Sequence, residues 1–122
     1  MKLLDTNYIL RFLLRDNEDM FEAAGKVIKN DQCFILEGVL AEVVYVLHGV
    51  YNVPRNEISN TLIQFISLDT VFTRETKTVF IDALTLYQSK KLDYMDCVLC
   101  ALKDRYTVKS FDKKLMQCVN LP

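Results

Sequence analysis

Apolar positions along the chain switch between short unbroken runs and longer stretches spaced roughly three to four residues apart, so strands and helices alternate. Lys2 to Asp5 is a short apolar run closed by an acid. "TNYILRFLLRD" follows, with Tyr8, Ile9, Phe12 and Leu13 in helical register. "MFEAAGKVIK", from about Met20 to Lys29, predicts a second helix, and "CFIL", Cys33 to Leu36, a buried strand. From Glu37 to about Val50 the positions Val39, Val43, Val46, Leu47 and Val50 keep helical spacing, and Pro54 suits the first turn of the next helix. "DTVFT" reads as a strand, "RETKTVFIDALTLYQSKK" and "LDYMDCVLCALKDRY" as helices, "TVKSFD" as a last strand ending at an acid, and "KKLMQC" as a last helix.

Strands separated by helices need crossover connections, which predicts an α/β fold: three layers, α/β/α, around a mostly parallel central sheet. With 122 residues, 51% of them hydrophobic, and only 3 Gly and 2 Pro, the chain can build one substantial core and offers no linker. The expectation is a single domain over residues 1–122. No apolar run suits a signal peptide or a membrane span, so a cytoplasmic protein is expected. Without secretory signals the four cysteines, Cys33, Cys97, Cys100 and Cys118, read as reduced thiols, and Cys97 and Cys100 as packing residues despite their Cys-x-x-Cys spacing. The formal charge of -1 excludes a protein that coats nucleic acid by bulk positive charge.

Four acids stand where chemistry is expected. In an open parallel sheet, ligands bind beyond the carboxyl ends of the strands. Asp5 closes the first run and Asp112 the last, Glu42 lies a little way into the helix after "CFIL", and Asp96 falls in the first turn of the "DYMDCVLCA" helix. Glu42 interrupts an apolar segment, and positions 38, 39, 45 and 46 offer it no basic partner, so its partner must come from elsewhere in the chain. Crowded carboxylates repel unless cations neutralise them. Oxygen ligands without His or Cys point to Mg²⁺ or Mn²⁺ rather than zinc. Each acid also has a purely structural reading: Asp5 and Asp112 as N-caps, Asp93 and Asp96 as a capping pair, and Glu42 as the ion-pair partner of Arg11 or Lys109.

The stretches "LLDTNYILRFLL", "LAEVVYVL", "LDYMDCVLCA" and "VKSFDKKL", in this order, resemble PIN-domain (PilT N-terminal) ribonucleases, in particular the VapC-like toxins of prokaryotic toxin-antitoxin modules. The resemblance implies a PIN-like fold and a metal-dependent endoribonuclease. It makes Asp5, Glu42, Asp96 and Asp112 the acidic quartet holding one or two Mg²⁺ or Mn²⁺ ions, with Thr6, Asn7 and Ser110 in support. It also implies an RNA substrate, a cognate antitoxin and a homodimer.

The other readings are a PIN-fold protein-binding module without catalysis, and a phosphatase with Asp5 as nucleophile; Asn7 stands where the phosphatase would need a second Asp. Setting the four site acids aside from 16 Asp and Glu leaves 12 against 15 Lys and Arg, so the rest of the surface can attract a polyanion. Arg11, Arg15, Lys90, Lys91, Lys113 and Lys114 are the candidate phosphate contacts, and Tyr45, Tyr94 and Phe12 the candidate base-stacking aromatics.

Overall fold

The computed structural model describes residues 1–122. The elements run β1 (Lys2–Leu3), α1 (Thr6–Leu14), α2 (Glu18–Asn30), β2 (Cys33–Phe34), α3 (Glu37–Gly49), α4 (Arg55–Ile66), β3 (Val71–Phe72), α5 (Lys77–Ser89), α6 (Tyr94–Ala101) and α7 (Lys113–Val119). The strands pair in parallel in the order β1-β2-β3, with Lys2 opposite Cys33 and Cys33 opposite Val71. Each crossover is a pair of helices, as the alternation of patterns predicts, and the fold is PIN-like α/β/α. Parallel strands place all their carboxyl ends at one edge, where α1 and α3 begin.

One core joins both faces: Ile9, Ile28, Ile35, Val43, Ile58, Leu84 and Cys97 all belong to a single buried cluster. No helix is long and apolar enough to cross a membrane.

Two expectations are corrected. "TVKSFD" forms no strand. Within it only Val108 packs against the core, so no apolar face exists to hold an added strand on the sheet. The four cysteines are not all reduced thiols: Cys100 on α6 and Cys118 on α7 form a disulfide, while Cys33 and Cys97 are free and buried. The bond forms because the two helices pack against each other and bring the Cα atoms to 6.1 Å.

Arg55 holds the segment between α5 and α6. Its Nη1 donates to the carbonyl oxygens of Tyr87 (3.0 Å), Lys90 (3.2 Å) and Leu92 (2.8 Å), and its guanidinium lies 4.1 Å from the centre of the Tyr87 ring. One cation thereby satisfies carbonyls that the end of α5 leaves open and fixes the path of the chain into α6.

Candidate active site

Asp5 follows β1 and is the N-cap of α1, its Oδ1 accepting from the Tyr8 backbone N–H at 2.8 Å. Asp112 caps α7 in the same way, accepting from Leu115 N–H at 2.9 Å, and its own N–H donates to Ser110 Oγ at 2.9 Å. The capping readings of both residues are therefore correct. Each cap uses one carboxylate oxygen; the other accepts nothing from the protein and stays free for a ligand. Thr6 and Asn7 open α1, with Asn7 exposed. Asp93 occupies the N-cap position of α6 without accepting a hydrogen bond there, and Asp96 lies in the first turn.

Asp96 is half-buried, and its carboxyl is pushed above the usual range first by burial and then by the charges of Asp112 and Asp93. Asp96 and Asp112 thus stand at the starts of two packed helices, where each feels the other's charge. Tyr45 on α3 reaches the same place: its hydroxyl is pushed up by burial and by the charges of Asp93 and Asp96.

Glu42 lies one turn before Tyr45, and its surroundings differ from the interior that its sequence neighbours suggest. Leu40, Ala41, Val43, Val44 and Leu47 are buried, whereas Gly38, Glu42, Tyr45 and Gly49 form an exposed stripe. Glu42 sits in that stripe, facing water, and needs no neutralising partner. The ion pair with Arg11 does not form: Arg11 binds Asp16 at 2.6 Å and Tyr51 at 3.1 Å. Lys109 makes no ion pair either; the remaining pairs join Arg15 to Glu18 and Arg105 to Glu75.

No group of three or more His, Cys, Asp or Glu side chains closes into a metal chelate in this conformation. The donor set nevertheless fits a hard cation. Mg²⁺ keeps several of its waters and binds through one or two carboxylates, and Asp96 with Asp112 supplies such a pair. A cation there would relieve the repulsion that raises Asp96.

Among the aromatic candidates, Tyr94 is buried and Phe12 packs between Phe21 and Phe65, so neither can stack on a base. Tyr45 is open to solvent, as is Phe111, which sequence pattern did not single out and which stands fully exposed beside Asp112. Arg11 and Arg15 are engaged within the chain, leaving the lysines as the free cations. Cys97 is inert: burial pushes its thiol up to about 11.

Residues 2–116 match the PIN domain family. A relative from Aquifex aeolicus (strain VF5), named VapC ribonuclease, is 32% identical over 104 residues, spanning 80% of this chain and 75% of its own length. No solved structure matches significantly.

Proposed function

Since the chain belongs to the PIN domain family, we propose that it is an endoribonuclease that hydrolyses RNA phosphodiesters with a divalent cation and acts as the toxin of a toxin-antitoxin pair. The observation that carries the reading is the placement of Asp96 and Asp112 at the starts of α6 and α7, two helices that pack against each other. The named activity of the Aquifex relative supports it.

In this reading Asp5 and Asp96 chiefly hold Mg²⁺ or Mn²⁺, and Glu42 and Asp112 position the ion or the attacking water. When bound, such a cation would supply Lewis acidity at the phosphate and lower the pKa of a neighbouring water toward neutral. The chain's own part is orientation. The caps fix Asp5 and Asp112 through one oxygen each, Ser110 steadies the backbone of Asp112, and solvent-facing Glu42 is free to accept a proton from the attacking water. Water's oxygen bonds to phosphorus, the P–O bond to the leaving nucleotide breaks, and the leaving oxygen takes a proton from solvent.

The exposed apolar residues Met20, Leu36, Val50, Tyr51 and Leu68 support an antitoxin contact and a homodimer over the first helices and the α3–α4 pair. A cytoplasmic setting goes with such a module. A monomeric mass in light scattering at micromolar concentration would exclude the dimer.

One observation favours a second reading: the open arrangement of the four acids is also what a PIN-fold binding module without catalysis would have. The deciding experiment incubates the purified chain and Asp96→Asn with total tRNA and a structured RNA in Mn²⁺, Mg²⁺ or EDTA. Discrete cleavage that needs metal and vanishes in the variant is expected. No cleavage in any metal, with a melting temperature indifferent to Mn²⁺, would give the binding module the lead.

A further inference from the structure

Lys90, Lys91 and Lys114 surround a cleft of about 320 Å³, floored by Leu92 and Leu121 and edged by Gln117. No carboxylate lines it. The chain's three ion pairs belong to Arg11, Arg15 and Arg105, so the three ammonium groups have no anionic partner. Three like charges around one concavity repel one another, and a cleft with low-dielectric walls concentrates their field on whatever enters.

The cleft is also held in place. Arg55 clamps the carbonyls of Lys90 and Leu92, which fixes one wall, and the packing of α7 on α6 fixes the other. Both walls are continuous in sequence with the segments that carry the acid pair. Leu92 precedes the Asp93 cap of α6, and Lys114 stands two residues beyond Asp112.

We propose that this cleft binds a backbone phosphate of single-stranded RNA, a neighbour of the phosphate that is cleaved. The assignment rests on the ribonuclease reading. A polyanion crossing the acids Asp96 and Asp112 is repelled wherever no cation intervenes, and Lys90, Lys91 and Lys114 stand on the two chain segments that carry those acids. Ammonium groups act on phosphate as point charges, and the Gln117 amide adds a neutral donor.

The test measures binding of a fluorescein-labelled single-stranded RNA by anisotropy across a salt series, with Asp96→Asn in every protein so that the RNA stays intact. The cleft variant adds Lys91→Gln and Lys114→Gln, one lysine from each wall; a charge-matched control adds Lys26→Gln and Lys29→Gln on α2. Each phosphate contact on a single strand contributes about 0.7 to the slope of log affinity against log salt, so the cleft variant, losing one such contact, should lose about 0.7 while the control keeps its slope. An unchanged slope in the cleft variant, or an equal loss in the control, overturns the assignment. Loss of binding to a polyglutamate probe with no change toward RNA overturns it in favour of a protein ligand. The ribonuclease reading is judged separately, by metal-dependent cleavage with the acids intact: if cleavage occurs and the slope does not change, only the cleft assignment fails.

Discussion

Asp5 has two oxygens with two assignments, and substitution can separate them. Asp5→Ala removes both the helix cap and the charge; Asp5→Asn removes only the charge, because Asn caps as well as Asp. The cap is one hydrogen bond, Tyr8 N–H to Oδ1 at 2.8 Å, at an exposed helix start. Its loss to Ala costs about 1 kcal/mol, within a range of roughly 0.5–2. For 122 residues, an unfolding entropy of about 2.1 cal/mol/K per residue gives roughly 0.26 kcal/mol/K, so the Ala variant should melt about 4 °C lower. The Asn variant should melt within about 2 °C of the parent, since what it loses in attraction to the helix dipole is only a few tenths of a kcal/mol at a solvated site. Both variants should lose metal-dependent RNA cleavage. Circular-dichroism melts in EDTA and gel-based cleavage in Mn²⁺ provide the two readings. An Asn variant that falls as far as Ala would refute the capping account, and an Asn variant that still cleaves would remove Asp5 from the site.

Other substitutions test other links. In EDTA, Asp96→Asn should melt above the parent at pH 7. Folding raises the proton affinity of Asp96, so its ionised form opposes folding; that penalty is full above the folded pKa and disappears as pH falls to the unfolded value of about 3.9, where the advantage of Asn should vanish. A parent as stable as the variant at pH 7 would mean that Asp96 is not strained. Arg55→Lys cannot reproduce contacts to three carbonyls together with stacking on Tyr87 and should cost about 1.5–3 kcal/mol in urea denaturation; a loss below about 0.5 kcal/mol would show that the clamp is incidental. Breaking Cys100–Cys118 with dithiothreitol should lower stability by about 3 kcal/mol on the loop-entropy estimate for its separation of 18 residues, and an identical melt before and after reduction would contradict the cross-link.

The alternation of elements was legible because every crossover contrasts an unbroken apolar run with a helical spacing, as where "CFIL" gives way to α3. The last expected strand failed because "TVKSFD" contributes one core residue, Val108, and an alternating pattern with nothing to cover gains little from pairing. Glu42 was misread for a geometric reason. Its neighbours in sequence, Ala41 and Val43, are buried, but on a helix they point about 100° away to either side, and the residues sharing its stripe are Gly38, Tyr45 and Gly49. Asp96 and Asp112 could be named from position, but their mutual influence crosses between helices and leaves no mark on local pattern. The same holds for Arg55, which acts 32 to 37 residues away, and for the disulfide.

The helix α7 carries half of the acid pair, and at seven residues it is too short to persist by its own hydrogen bonds. What retains it is the burial of Leu115 and Cys118, the cap from Asp112 and the covalent tie to Cys100. Asp96 sits on a helix rooted in the main core. The pair therefore exists only during the fraction of time that α7 is docked on α6. Amide exchange along Lys113–Val119 reports that fraction directly, and an ion bridging the pair would slow it.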